Sequence, residues 1–211
     1  ADLPAQTLTY SLGAGAPAGA SITPQGVFTW TPSEAQGPST NTISIIVTDN
    51  GSPALTDAKS FKVIVQEVNQ APVLQALTDR TVNEGTALSF TATATDADLP
   101  AQTLTYSLGA GAPEGASITP QGVFTWTPSE AQGPSTNTIS IIVTDNGSPA
   151  LTDARSFKVI VTEVNQAPVL QALTDRTVNE GTALSFTATA TDADLPAQTL
   201  TYSLGAGAPE G

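Results

Sequence analysis

The sequence predicts an all-β protein built from β-sandwich domains in tandem, and three observations carry that prediction. The phrase "ADLPAQTLTYSLGAGAP" begins at Ala1 and returns at Ala97 and Ala193, so the chain repeats with a period of 96 residues. Apolar and polar residues alternate with period two in successive segments, as half-buried antiparallel strands require. Turns rich in Gly, Pro, Asn and Asp separate these segments, and no helical pattern occurs. A period of this length matches one small sandwich of roughly 100 residues.

The strands can be assigned in order within the middle copy. A short apolar segment, "APVLQAL", precedes "RTVNEG" and is expected to form an edge strand. The alternating segments that follow are "TALSFTATATDAD", "TLTYSL", "GVFTWTP", "TISIIVTDNG" and "SFKVIVTEV". About seven strands in this arrangement indicate a Greek-key sandwich of the immunoglobulin or cadherin type. The aromatic residues at inward positions are expected to form its core: Phe90, Tyr106, Phe124, Trp126 and Phe157.

The domain boundaries are placed at the "EVNQAP" segments, which follow the last strand of a copy and carry a proline that favours extended backbone before it. Residues 70–165 then form one complete domain. Residues 1–69 form a partial domain without its first strands, and residues 166–211 form a partial domain with first strands only. A partial sandwich leaves apolar surface in water. We therefore expect these 211 residues to be part of a longer repetitive polypeptide.

Composition excludes several classes of function. Nineteen acidic residues against six basic ones give a net charge of −13, which disfavours nucleic acid and anionic membranes as partners. No apolar run reaches the roughly 18 residues of a membrane span, so we expect no membrane insertion in this segment. The chain has no His and no Cys, which leaves little catalytic chemistry. A catalytic site would also recur in every copy, and we therefore expect no enzyme.

Several stretches resemble bacterial cadherin-like repeats, most closely the dystroglycan-type, immunoglobulin-like branch. They are "TDADLPAQTLTYSL", "GVFTWTPSEAQG", "VTDNGSPALTDAKSFKVIVQEVNQAP" and "VNEGTALSFTATATDAD". The resemblance covers the whole chain. It implies a secreted or cell-surface protein in which such repeats form stalks, adhesin rods or matrix components.

The resemblance also implies calcium at the junctions between domains, held by residues that match the cadherin ligand pattern. These residues are Glu67, Asn69, Glu84, Asp96, Asp98, Asp145, Glu163, Asn165, Asp192 and Asp194. The sequence departs from the pattern at Gln70 and Gln166, where a second Asp is usual. In the "TPSEAQG" segments only Glu34 and Glu130 remain as acidic equivalents, and we expect Glu130 to be a solvated loop residue. One or two ions per junction are expected.

Calcium chemistry suits these residues independently of the resemblance, because calcium takes six to eight hard oxygen ligands and converging carboxylates repel without a cation. A simpler interpretation remains open. Asp in "DAD" and "DNG" also closes turns through bonds from side chain to backbone, and for Asp145 the turn is favoured.

The sequence therefore favours a structural repeat of an extracellular stalk, adhesin rod or fibre, with neighbouring repeats of the same chain as its partners. Two alternatives remain. The first is homotypic assembly into a matrix or filament, for which identical copies present the same surface at regular spacing. The second is a glycan-binding array, which the inward aromatic residues disfavour.

Overall fold

The computed structural model describes residues 5–207, so the outer ends of the first and last predicted domains lie outside the described part. Its only helical segments in that range are two 3₁₀ turns, Glu34–Gln36 and Glu130–Gln132. The predicted all-β class is confirmed. The chain divides into two compact units. Unit 1 comprises the described residues up to Pro72 with Asp96–Thr103 and Asp145–Leu151, and unit 2 comprises Val73–Thr95, Leu104–Thr144 and the described residues from Thr152 onward.

Unit 1 contains five strands, the longest of them in a hairpin. They are β1 (Leu8–Leu12), β2 (Ser21–Ile22), β3 (Phe28–Thr29), β4 (Ser39–Asp49) and β5 (Thr56–Val65). Strands β1, β4 and β5 form an antiparallel sheet in that order, while β2 and β3 form a separate hairpin. Strands β5 and β3 each leave one edge unpaired within the described residues.

Unit 2 contains a complete sandwich. Its strands are β6 (Val73–Leu74), β7 (Arg80–Asn83), β8 (Leu88–Thr91), β9 (Ala94–Thr95), β10 (Thr105–Leu108), β11 (Ser117–Ile118), β12 (Val123–Trp126), β13 (Ser135–Thr144) and β14 (Thr152–Thr162). One sheet has the order β10-β13-β14-β7, in which β7 runs parallel to β14. The other sheet has the order β11-β12-β8, and β6 pairs with β9.

The core of this sandwich follows from the alternation in sequence. Alternate residues of β13 and β14 point inward, so Ile139, Ile141, Val143, Val159 and Val161 are buried. Phe124, Trp126 and Phe157 are buried with them, and Phe90 and Tyr106 pack against the cluster half-buried. The expectation of an aromatic core is confirmed. Each predicted segment contains a strand, but the segment predicted as one strand from Thr86 to Asp98 divides into β8 and β9. Strands β7 and β11 are additions that the alternation did not reveal.

The same alternation in unit 1 does not produce the same burial. Phe61 of β5 is 39% exposed, whereas Phe157, its counterpart 96 residues later, is 2% exposed. In unit 2, Phe157 packs edge-on against Phe90 and Phe124, with ring centroids 5.3 and 5.6 Å away. In unit 1, Phe61 meets only Phe28, at 5.5 Å. The sheet face of unit 1 thus lacks the layer that β7 and β8 provide in unit 2.

The last part of unit 2 contains two short strands, β15 (Val169–Leu170) and β16 (Ala190–Thr191), which pair with each other. Its apolar side chains are exposed in large part, among them Leu173, Val178, Leu184 and Phe186. Within the described range, no helix has both the length and the apolar character that a membrane crossing requires.

Candidate metal centres

Three carboxylates converge within unit 1, and we call Glu34, Glu67 and Asp98 the first cluster. One oxygen from each lies within 4.8 Å of the others. Glu34 opens the 3₁₀ turn that a capping box between Ser33 and Gln36 fixes. Glu67 follows β5 in the "EVNQAP" segment, and Asp98 lies in the loop after β9. Strand ends and one short turn therefore bring the three side chains together.

Hydrogen bonds hold the first cluster in place but leave oxygens free. Glu34 Oε1 accepts a bond from Leu99 N at 3.0 Å. Asp98 Oδ2 accepts bonds from Gln70 N at 2.9 Å and Gln102 Nε2 at 2.7 Å. Buried oxygens without any hydrogen-bond partner remain on Asp98 (Oδ1) and on Glu67 (Oε1). Buried acceptors almost always have partners, so these oxygens are available to a cation of suitable size.

A second cluster of the same kind lies within unit 2 and consists of Glu84, Glu130 and Glu163. Glu84 is buried, and its Oε1 accepts a bond from Val164 N at 3.0 Å. Glu130 Oε1 accepts a bond from Leu195 N at 2.8 Å. Glu84 Oε2 and both carboxylate oxygens of Glu163 are buried without a partner. Glu130 and Glu163 are the counterparts of Glu34 and Glu67, so two members of each cluster recur with the period of the chain, whereas the third members, Asp98 and Glu84, are not equivalent.

Each Asp-x-Asp pair forms a turn and also supplies a buried carboxylate. Asp96 Oδ1 accepts a bond from Asp98 N at 2.9 Å, and Asp192 Oδ1 accepts one from Asp194 N at 3.0 Å. These bonds are Asx-turns, as the simpler interpretation required. The second residue of each pair is nevertheless buried, and Asp98 belongs to the first cluster. Asp96 Oδ2 is also buried without a partner. The turn thus orients the pair and leaves carboxylate oxygens available.

The linker asparagines bind neighbouring side chains. Asn69 Nδ2 donates to Asp145 Oδ2 at 3.1 Å and to Pro149 O at 3.0 Å, while its Oδ1 accepts a bond from Gln102. Asn165 Oδ1 accepts a bond from Gln198 Nε2 at 2.6 Å. Gln102 and Gln198 also donate to Asp98 and Asp194 respectively. Each linker asparagine is therefore connected through one glutamine to the buried Asp of its Asp-x-Asp pair.

Asp145 lies in unit 1 and serves a turn. Its Oδ1 accepts bonds from Gly147 N at 3.0 Å and Leu151 N at 2.9 Å. Burial acts to raise the pKa of Asp145, but these bonds and the one from Asn69 outweigh burial and lower its pKa. Both carboxylate oxygens of Asp145 thus have protein partners. Hydrogen bonds through Asn69 and then Gln102 connect this carboxylate to Asp98 of the first cluster.

Negative charge on the carboxylates of the two clusters is electrostatically unfavourable. Desolvation raises the pKa of Glu163, and the charges of Glu84, Glu130 and Asp194 raise it further. Desolvation likewise raises the pKa of Glu67, together with the charges of Glu34 and Asp98. Among the described residues the ion pairs are Lys59 with Asp57 and Arg155 with Asp153, and neither involves a cluster. A divalent cation would supply the missing positive charge.

The residues present fit calcium. Calcium prefers six to eight oxygen ligands, several of them carboxylates, and tolerates irregular geometry. Glu34, Glu67 and Asp98 with Asp96 would hold it in unit 1, and Glu84, Glu130 and Glu163 with Asp194 would hold it in unit 2. Neither cluster contains nitrogen or sulfur ligands of the kind that zinc prefers.

Glu34 and Glu130 belong to the two clusters, although the sequence analysis named them only as possible equivalents and left them out of its ligand set. The expectation that Glu130 is a solvated loop residue is wrong, because its side chain is half-buried and its carboxylate accepts the Leu195 amide. The 96-residue repeat and the "SEAQ" capping box were the available signals. Neither signal shows that the "SEAQ" turn lies beside the "EVN" segment, because the two segments come together only when the sandwich folds.

Residues 69–157 match the family model described as bacterial Ig domain. None of the curated proteins compared with the chain matches it. Among solved structures, human CDH23 EC21-23 is 19% identical with a TM-score of 0.56, over 89% of this chain and 74% of that one. Mouse cadherin-23 EC22-24 is 24% identical with a TM-score of 0.52, over 75% of this chain and 53% of that one.

The extracellular domain of protocadherin GammaB4 is 24% identical with a TM-score of 0.51, over 89% of this chain and 35% of that one. This chain therefore spans about a third of the protocadherin structure and about half of the mouse cadherin-23 structure. At these identities the likeness establishes the fold, which is that of a cadherin-like sandwich. The family match covers the central copy alone, so that copy is similar to a bacterial Ig domain, and the remainder of the chain shares its sequence by repetition.

Proposed function

We propose that this chain is a structural repeat region of a long extracellular stalk, adhesin rod or fibre, in which calcium at the two clusters stiffens the junctions between repeats. The observation that carries the proposal is the set of buried carboxylate oxygens without partners, present in both clusters. Cadherin and bacterial Ig domains are generally extracellular, non-catalytic structural modules. An extracellular location would also supply the calcium, since millimolar calcium suits sites of modest affinity.

The mechanism follows from electrostatics. Each cluster draws carboxylates from segments far apart in sequence: the "SEAQ" turn, the "EVN" segment, and either the Asp-x-Asp loop or the "NEG" turn. Without a cation these carboxylates repel one another at short range. A bound calcium would convert that repulsion into attraction and would fix the three segments together. The ion would therefore restrict bending wherever such segments belong to successive repeats.

Two further observations bear on the alternatives. Phe124, Trp126 and Phe157 are buried, which leaves no aromatic platform for sugars on the complete sandwich and disfavours glycan binding. The near-identical copies present the same surfaces once every 96 residues, which keeps homotypic assembly as the alternative function.

Small-angle X-ray scattering of the 211-residue chain, in millimolar calcium and in chelator, tests the proposal. We expect a well-defined maximum dimension in calcium and a broader distribution in chelator. Magnesium serves as the ion control, because it demands stricter octahedral geometry and dehydrates reluctantly. The variant Glu114→Gln removes an exposed carboxylate outside both clusters and should behave like the parent chain. Identical scattering in calcium and in chelator would overturn the stiffening role.

A further inference from the structure

We propose that the side-chain amide of Gln102 takes the place of a cation between Asp98 and Asn69, and that the residue at position 102 therefore decides how many cations this part of unit 1 can hold. The hydrogen-bonded amide, which we call the glutamine bridge, fastens the linker asparagine to the Asp-x-Asp loop without any metal. The bridge does not rest on calcium binding at the first cluster, so this inference and the proposed function can fail separately.

The glutamine bridge is made by one nitrogen atom that faces two oxygens. Gln102 Nε2 donates to Asp98 Oδ2 at 2.7 Å and also to Asn69 Oδ1. Asp98 is buried, and Asn69 and Gln102 are half-buried. Oxygens that converge away from water need either a hydrogen-bond donor or a cation between them. In this chain the donor is the glutamine amide.

The orientation of the amide follows from its surroundings. With its nitrogen toward Asp98 and Asn69 the amide makes two hydrogen bonds, whereas the reverse orientation would set its oxygen against two acceptor oxygens. Gln102 Oε1 is buried and finds no hydrogen-bond partner among the described residues. Gln102 is therefore held by its N–H groups, which present partial positive charge to the two oxygens as a cation would.

The asparagine end of the bridge is placed by the "DNG" loop. Asn69 Nδ2 donates to Asp145 Oδ2 at 3.1 Å and to Pro149 O at 3.0 Å. Gly147 leaves the room that the Asn69 carboxamide needs, because a methyl group there would collide with Asn69 Oδ1. Since these two acceptors hold its nitrogen, Asn69 turns its oxygen toward Gln102.

The glutamine end of the bridge is placed by the backbone beside it. Thr103 N donates to Asn146 Oδ1 at 2.7 Å, so the chain next to Gln102 is tied to the same loop. Asp98 Oδ2 also accepts the linker amide of Gln70 at 2.9 Å. The linker is thus held to Asp98 twice, once directly by its backbone and once through the glutamine side chain.

The same arrangement recurs 96 residues later, in unit 2. Gln198 Nε2 donates to Asp194 Oδ2 at 2.9 Å and to Asn165 Oδ1 at 2.6 Å. Asp194 Oδ2 also accepts the Gln166 amide at 3.0 Å. The bridge is present in both units although the third carboxylate of the two clusters differs. It therefore belongs to the Asp-x-Asp loop and the linker rather than to one particular cluster.

A glutamate at the same position would reverse the electrostatics of the bridge. Its side chain has nearly the same shape but carries an oxygen where glutamine carries the N–H₂ group. Gln102→Glu therefore sets a charged oxygen against Asp98 Oδ2 and Asn69 Oδ1, with no positive charge to separate them. Three converging oxygens, two of them charged, form the beginning of a calcium site, and water can supply the remaining ligands.

Isothermal titration with calcium counts the ions. We expect Gln102→Glu to bind one ion more than the parent chain, and Gln102→Leu to bind the same number as the parent chain. Gln121→Glu adds the same charge at an exposed turn residue and should leave the number unchanged. No additional ion in Gln102→Glu, or the same gain in Gln121→Glu, would overturn the proposal. A parent chain without bound calcium would contradict the proposed function, whereas one ion bound by Gln102→Glu alone would still support the bridge.

Amide hydrogen exchange in chelator tests the bridge without any metal. The reporter is the Gln70 amide, which Asp98 accepts, and the Gln166 amide in unit 2 is the internal control. We expect Gln102→Leu and Gln102→Glu to accelerate exchange of the Gln70 amide at least about tenfold and to leave the Gln166 amide unchanged. Calcium should slow this exchange more in Gln102→Glu than in Gln102→Leu, because only the carboxylate can bind an ion in the amide's place. Parent-like exchange in both variants, or equal recovery of the two in calcium, would refute the bridge.

Discussion

At the scale of single residues, the proposed function depends on carboxylates that the fold buries without partners. Glu163 is the clearest case, because neither of its oxygens has a hydrogen-bond partner, and desolvation followed by the charges of three other carboxylates raises its pKa. Asp145 is the opposite case, since protein donors occupy both of its oxygens. Both residues match the same ligand pattern in sequence. Only their surroundings separate a candidate ligand from a turn residue.

The first prediction concerns pH in the absence of calcium. The pKa of Glu163 and of Glu67 is raised in the folded chain above the ordinary 4.5, so the folded state holds these protons more tightly than the unfolded state. The stability that this adds is complete below pH 4.5 and is lost as pH rises through the folded pKa values. Thermal melts in chelator should therefore show a midpoint that falls as pH increases above this range.

The variant Glu67→Gln, Glu163→Gln should show a smaller fall over the same pH range, because neutral amides do not repel the remaining carboxylates. Glu114→Gln should fall as the parent chain does. In the parent chain, calcium should abolish the fall of the melting midpoint with increasing pH. If the double variant has the same pH dependence as the parent chain, repulsion between the cluster carboxylates does not lower the stability.

A second prediction uses two equivalent glycines. A methyl group at Gly133 would collide with the Glu84 carboxylate, whereas at Gly37 the nearest atom is Val65 Cγ1, at 3.2 Å. Gly133→Ala should displace Glu84 and reduce the calcium affinity of the second cluster about tenfold, a loss of about 1.4 kcal/mol. Gly37→Ala should leave calcium binding unchanged, because the atoms near that position are the Val65 side chain and two backbone oxygens, and no glutamate carboxylate is among them. Equal calcium affinities for the two variants would show that Glu84 is not a ligand.

At the scale of elements, the sequence determined the strands better than it determined the clusters. Period-two alternation identified β13 and β14 because each buries one complete face, and such a pattern needs only local information. The two-residue β11 and the "SEAQ" turns have no periodic pattern. Their importance arises from the residues that the sheets place beside them. Glu130 was therefore misjudged, while Phe157 was assigned to the core correctly.

A third prediction compares the two copies of one strand. Phe157→Ala removes a buried ring that contacts Phe90 and Phe124, and should reduce the free energy of unfolding of unit 2 by about 3–5 kcal/mol. Phe61→Ala removes a ring that is 39% exposed and should have a clearly smaller effect on unit 1 in dilute solution. Chemical denaturation of the two variants measures both. Equal losses would mean that unit 1 is closed in solution by a layer that its own strands do not supply.

At the scale of the whole molecule, near-identical repeats make every local feature periodic. Two members of each carboxylate cluster recur because the sequence recurs, as Glu34 and Glu67 do in Glu130 and Glu163. Long-range order in such a protein depends on the joints more than on the domains. Calcium at the clusters is the way in which we propose that those joints are fixed.

Isothermal titration of the calcium-free chain with calcium tests the central claim most directly. We expect saturable binding at both clusters, with Glu67→Gln removing the first site, Glu163→Gln removing the second, and Glu114→Gln removing neither. No binding heat at millimolar calcium, or binding that survives unchanged in the double variant Glu67→Gln, Glu163→Gln, would contradict the account.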